Sequence, residues 1–215
     1  MSLHVHLVAR LAVPLSTRRQ LRASDLARAQ QIIDLAWKDL PKAHRALLET
    51  IGANQRMAVN RPLGQEIADL RRSAGARELG DAERRMLDRA LGVWVPDLRL
   101  VLVDAGHEKH VALNERSYEA ALARIAWHEW GHALSLDRAT GADVDAGSRL
   151  LKLAPRGVAE IIRSADYRLR ERTHELVAEI YALLMARRRR GQTGQPPWLA
   201  DEIWDLMKRV ADWDA

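Results

Sequence analysis

Residues 123–136 read Ala-Arg-Ile-Ala-Trp-His-Glu-Trp-Gly-His-Ala-Leu-Ser-Leu. Ile125, Ala126, Trp127, Ala133 and Leu134 give this stretch the apolar content of an interior helix, yet His128, Glu129 and His132 sit among them. His128 and His132 are four positions apart, so on a helix they share a face, one turn from each other. Burying these groups among apolar neighbours is costly unless something pairs with them. The bland alternative is a hydrogen-bonded pair of core histidines beside a glutamate on the helix surface.

On either side of this stretch the chain changes character. Ser117 is placed to cap a helix from Tyr118 to about Leu136, with Leu122, Ile125 and Ala126 as its stripe. Upstream, Arg99 to Asp104 is a run of Leu and Val, and Lys109 to Asn114 follows a Gly-containing loop. Together they predict a hairpin or two neighbouring strands. Downstream, the Gly, Asp and Ala of residues 140–147 read as a loop, followed by a helix from about Ser164 to Arg190. A Gly/Gln/Pro linker, Gly191 to Pro197, leads to a last amphipathic helix carrying Ile203, Trp204, Met207 and Val210.

Toward the N-terminus, residues 3–13 suggest a short strand ending near Pro14. Residues 24–50 suggest a helix with Ser24 as N-cap, broken at Pro41 to leave Lys42 to Ile51, with Gly52 as terminator. Residues 53–80 are less regular, with a turn or two of helix in Leu63 to Arg72, and Asp81 can cap a short helix through Ala90. The expectation is an α+β fold, mostly helical, with a small β element in the middle. It divides into residues 1–92 (a strand and helices), 93–190 (the core around the histidines) and 191–215 (linker and last helix), which together form one compact unit.

Composition narrows the classes. The chain has 215 residues, 47% hydrophobic and 29% charged, which suits a globular domain and not a disordered one. Its 34 basic and 29 acidic side chains leave a net charge of +5, and much of that surplus lies in Arg187 to Arg190, where it complements a helix C-terminus. No DNA- or RNA-binding motif accompanies it, so a nucleic-acid function ranks last. Cysteine is absent, which removes disulfides, thiolate nucleophiles and every Cys-based zinc site. The first residues lack the basic start and small-residue cleavage site of a secretory signal, and no apolar run reaches membrane-spanning length. Cytoplasm is the expected compartment. The seven Trp and absent Phe suggest no function.

Two imidazoles on one helix face can reach one metal ion. Glu129 projects from an adjacent angle and can touch a metal-bound water without being a ligand. Zinc lowers the pKa of such a water, and a carboxylate takes its proton as it attacks a carbonyl. A catalytic zinc takes three protein ligands and keeps a fourth position open. A metzincin would place Gly and His where this chain has Ser135 and Arg138, so that class is excluded. Asp137 would have to fold back onto its own helix, while Asp143 and Asp145 remain open to the role. A better source is the helix reading Arg172-Thr-His-Glu-Leu-Val-Ala-Glu-Ile-Tyr-Ala-Leu-Leu-Met185. Glu175 and Glu179 share a face there; one can bind the metal while the other accepts a hydrogen bond from a ligand histidine's far nitrogen. The competing reading is a solvent-facing acidic edge paired with arginines such as Arg172.

The His-Glu-x-Gly-His helix, the short strand before it and the later Glu-x-x-Ala-Glu-x-Tyr-Ala-x-Leu-Met helix resemble the small gluzincins. These are the minigluzincins and the zinc-peptidase domains related to the ImmA/IrrE group of bacterial and phage regulators. The resemblance covers roughly residues 98–186 and leaves 1–92 outside it. It implies a zincin-like domain with a small sheet beside the active-site helix, holding one zinc ion through His128, His132 and Glu175. Glu129 is then the base, and Glu179 stands behind a ligand histidine. The ImmA/IrrE relatives generally carry Asn or Asp at the position of Glu179, and the loop from His132 to Glu175 is longer here than in the most compact members. The resemblance also implies that Lys109 to Asn114 offers its edge to an extended substrate. His110, Tyr167, His174 and Tyr181 are candidates to stabilise the oxyanion or contact substrate, although His174 also reads as an ordinary exposed helix residue.

The leading expectation is therefore a zinc metallopeptidase acting on a protein or peptide. The alternative is a regulatory module that keeps the zinc site with little turnover and binds a protein partner, such as a repressor, through its N-terminal helices. The tethered last helix is placed to cover the cleft in either case.

Overall fold

In the computed structural model the described residues are 20–107, 113–165 and 167–213. The expected strand at 3–13, most of the expected strand at 109–114, and His110 lie outside them. The rest is mostly helical, with one small mixed sheet.

Three strands form that sheet in the order β1-β3-β2: β1 (Gln55–Val59), β2 (Gly92–Val95) and β3 (Leu100–Asp104). β3 lies in the middle, parallel to β1 and antiparallel to β2. That position explains its unbroken Leu/Val run, since a central strand covered on both faces has little use for alternation. The hairpin partner of β3 is β2, which precedes it. β2 runs only from Gly92 to the residue before Pro96, too short to show a strand period in sequence, and all of its residues are buried. β1 also replaces an expected irregular stretch; Gln55-Arg-Met-Ala-Val lacks a clean period and becomes a strand by pairing Gln55–Leu100 through Val59–Asp104. Gln30 closes its outer edge, accepting the Ala58 N–H at 2.8 Å.

The helices before the sheet are α1 (Ala23–Lys38) and α2 (Lys42–Thr50), divided at Pro41 as its ring requires. Gly52, at φ 77°, terminates α2 in a conformation that glycine adopts readily. α1 starts one residue before the expected cap, and Arg22 donates its backbone N–H to Asp25 at 3.3 Å. α3 (Leu63–Ser73) and α4 (Asp81–Leu87) pack on one another beside the sheet.

The central element is α5 (Glu115–Arg138). Its cap is Asn114 rather than Ser117: the Asn114 side chain accepts the Ser117 N–H at 3.0 Å, placing Ser117 inside the first turn. The span Ile125 to Ser135 is buried without a break, so α5 has no solvent stripe there. Trp127 and Trp130 donate their indole N–H groups to the carbonyls of Ala36 and Ala53, at 3.0 and 3.1 Å. Ala29, Ile32, Ile33, Ala36 and Trp37 of α1 are buried in the same core.

The expected loop at 140–147 is instead the start of three short helices: α6 (Gly141–Asp145), α7 (Gly147–Leu153) and α8 (Arg156–Ser164). Thr140 and Asp143 exchange capping hydrogen bonds, so a loop-like composition still nucleates a turn of helix. The long C-terminal helix therefore begins later than expected, as α9 (Leu169–Arg188), and packs along α5. α10 (Asp201–Ala211) lies against α5, α7 and α9 through Ile203, Leu206, Met207 and Val210. No helix among the described residues is long and apolar enough to cross a membrane.

Candidate metal centre

α5 and α9 approach closely at Gly131, where a Cβ would lie 2.7 Å from Ala178 Cα and 3.1 Å from Tyr181 Cβ. This close packing brings the polar face of α5 against that of α9. His128 and His132 present Nε2 atoms 2.9 Å apart. Glu175 faces both, with Oε2 3.6 Å from His128 Nε2 and Oε1 3.4 Å from His132 Nε2. All of these side chains are buried. Together they form a group that can hold a metal ion, with ligand atoms within 4.8 Å of one another.

The donor set fits a tetrahedral ion. Imidazole and carboxylate ligands at about 2.0–2.2 Å from such a centre stand about 3.3–3.5 Å from each other. The 2.9 Å between the imidazole nitrogens, with 3.4 Å from His132 to Glu175 Oε1 and 3.6 Å from His128 to Glu175 Oε2, bracket that value. Charge gives the same answer. Burial raises the pKa of Glu175 to about 8, with Glu179 adding to the rise while His128 and a hydrogen bond from Tyr167 oppose it. A carboxyl group in that state lacks a cation, which a bound metal would supply. The chain thus carries a buried His128–His132–Glu175 site suited to a metal ion. No family model matches the chain, and neither a curated protein nor a solved structure matches it.

The alternatives to Glu175 fall away on geometry. Asp137 and Asp145 are exposed. Asp143 is buried, but its carboxylate is bonded to Arg209 and Thr140. Nor is the face of Glu175 and Glu179 a solvent edge, since both carboxylates turn inward; Arg172 instead donates to the Tyr167 carbonyl at 2.7 Å. Glu179 Oε1 lies 3.5 Å from His128 Nδ1, behind the nitrogen that faces the metal position.

Glu129 is fully buried and reaches the sheet, where its Oε2 accepts the Trp94 N–H of β2 at 2.8 Å. Its Oε1 has no hydrogen-bond partner among the described residues. Burial, and after it the charge of Glu175, raises its pKa well above the ordinary carboxyl value; the Trp94 bond acts in the opposite direction. Gly92 makes this seat possible, because a Cβ there would meet Ile125 Cγ2 at 2.4 Å and Glu129 Oε1 at 2.9 Å.

The remaining candidates separate. Tyr167 is half-buried and hydrogen-bonds Glu175 through its side chain, which places it at the site. His174 is buried, against the expectation of an exposed residue, because the whole inner side of α9 is consumed in packing; its Nδ1 lies 3.2 Å from Ser135 Oγ. Tyr181 is buried with its hydroxyl 3.0 Å from His44 Nδ1. Sequence reasoning missed Gly92, Trp94 and Arg124. Of these, Arg124 had a readable signal, since it stands one helical turn before His128 on the same face.

Proposed function

We propose that this chain is a zinc metallopeptidase of the gluzincin type that hydrolyses a peptide bond in a protein or peptide substrate. The observation that carries the reading is the convergence of His128, His132 and Glu175 with the carboxyl group of Glu129 buried beside them. Two imidazoles and one carboxylate are the ligand set of many catalytic zinc sites and leave a fourth position open. Zinc held there supplies a Lewis acid and brings water ionisation into the neutral range.

The chain's own residues then have distinct tasks. Glu129 Oε1 takes the proton of the attacking water, while the Trp94 N–H holds Oε2 and fixes the carboxylate against β2. Burial raises the proton affinity of Glu129, which strengthens it as the acceptor of that proton. Glu179 orients His128 from behind. Tyr167 is the best supported of the four donors named from sequence, because its side chain reaches a ligand carboxylate. Its hydroxyl can turn to a developing oxyanion.

The test combines metal analysis with a peptide-library digest. The full chain, reconstituted with zinc, should hold about one ion per molecule and cleave members of the library. Glu129→Gln should keep the ion and lose cleavage. A chain that takes up no zinc at neutral pH overturns the reading, and cleavage undiminished in Glu129→Gln removes its mechanism.

A further inference from the structure

The facing sides of α5 and α9 form one polar seam, and Arg124 closes its end. Arg124, His128 and His132 follow at four-residue intervals and so share a face of α5. Glu179 and Glu175 face them in the opposite chain direction. Glu179 is held from two sides: Arg124 Nη2 donates to Oε2 at 3.1 Å, and His128 Nδ1 stands 3.5 Å from Oε1. The Glu179 side chain is 4% exposed, whereas that of Arg124 is 48% exposed. A buried carboxylate requires a partner, and a guanidinium is always charged and offers rigid planar donors. With Oε2 taken by Arg124, Oε1 is the oxygen left for His128. A hydrogen on His128 Nδ1 would then point to Glu179 Oε1 and leave the Nε2 lone pair facing His132 Nε2 and Glu175.

We propose that Arg124 is a positioning residue of the metal centre: by holding Glu179 Oε2 it turns Oε1 to His128 Nδ1 and aims His128 Nε2 at the ion. This rests on the metal-centre reading above but not on hydrolysis. Arg124 acts through Glu179, whose Oε2 it holds. Partners of this kind behind a ligand histidine are worth roughly 10–100-fold in metal affinity.

Cobalt(II) is the probe, titrated into the full chain and followed by its visible absorption, which reports coordination geometry. Arg124→Gln should weaken cobalt binding about tenfold or more and change the absorption band. Arg124→Lys should recover most of the affinity, since an ammonium can still hold Oε2. Glu179→Gln should show a comparable loss, and adding Arg124→Gln to it should change little because the two act in series. Melting of the metal-free variants near the wild-type temperature separates positioning from a role in folding. Wild-type affinity and spectrum in Arg124→Gln, or losses that simply add in the double variant, overturn the proposal. If Arg124→Gln does not fold, wild-type affinity in Glu179→Gln overturns it instead. A wild-type chain that takes up no cobalt overturns the metal centre itself, an outcome distinct from unaltered variants of a chain that binds.

Discussion

Gly131 of α5 lies against Ala178 of α9 so closely that an added Cβ would stand 2.7 Å from the Ala178 Cα. The atom it would meet belongs to the backbone, so no side-chain rotation relieves the contact. Gly131→Ala should therefore destabilise the chain by about 1–3 kcal/mol despite the better helix propensity of alanine. Because the ligands come from both helices, forcing these apart widens the His128–His132–Glu175 triangle as well. Zinc affinity should fall about tenfold or more, since a ligand set tolerates only about 0.2 Å of error in its distances. Urea unfolding and a chelator competition titration measure the two effects; unchanged zinc affinity would detach the helix approach from the metal site.

Glu175 should set the pH dependence of metal binding at this site. Its pKa in the metal-free chain stands at about 8 against an ordinary 4.5, chiefly through burial. A raised carboxyl pKa stabilises the metal-free fold fully below 4.5, and that contribution is lost as pH rises through about 8. Metal binding needs the carboxylate, so at pH 7 the ion displaces the proton of Glu175. Calorimetry in buffers of different ionisation enthalpy should register proton release, and zinc affinity should climb with pH until about 8. A climb that ends near about 6.5, the ordinary imidazole value, would assign the dependence to the histidines alone.

Glu129 ties the metal helix to β2, and its two obvious variants should separate chemistry from structure. Gln can still accept the Trp94 N–H through its side-chain carbonyl. Glu129→Gln should change stability by less than about 1 kcal/mol and leave metal content intact. Glu129→Ala leaves the Trp94 N–H without this acceptor and opens a cavity, at a cost of about 2–4 kcal/mol. Chemical unfolding of both proteins decides it; equal losses would mean that the Trp94 bond contributes nothing.

How much of this was readable in the chain depends on whether the signal is local. The helix with His128, Glu129 and His132 declares itself because three polar residues interrupt a dense apolar pattern at helical spacing. Glu175 and Glu179 are readable for the same reason. β2 is not, since a four-residue strand that starts at Gly92 and stops before Pro96 is too short to show a period, and its identity comes from pairing with β3. The short helices after Thr140 are hidden by a loop-like composition whose capping exchange outweighs it. Gly92 as a seat for Glu129 is invisible locally, because the contact joins residues from two elements that only the fold brings together.

His44 braces α9 through Tyr181. It is fully buried, and its Nε2 lies 3.2 Å from the Asp212 carbonyl while Nδ1 lies 3.0 Å from the Tyr181 hydroxyl. A carbonyl only accepts, so Nε2 carries the hydrogen and the Tyr181 hydroxyl donates to Nδ1. Tyr181 belongs to α9, and Trp213 packs on both rings, with centroids 5.2 Å from His44 and 5.5 Å from Tyr181. Burial lowers the pKa of His44 from 6.5 to about 4; the positive charges of Arg188 and Arg138 push the same way, and Asp212 opposes them. Below 6.5 the unfolded chain binds a proton that the folded chain refuses, so this stability is present above 6.5 and drains away as pH falls toward about 4. Between pH 7 and pH 5 the drain amounts to about 2 kcal/mol. His44→Gln keeps a donor and an acceptor but cannot titrate, so its unfolding free energy should decline less over that interval, by about that amount. Urea unfolding of both proteins at the two pH values makes the comparison. Parallel declines would show that the proton affinity of His44 is the same in the folded and unfolded chain, and that the contact with Asp212 and Tyr181 does not resist acid.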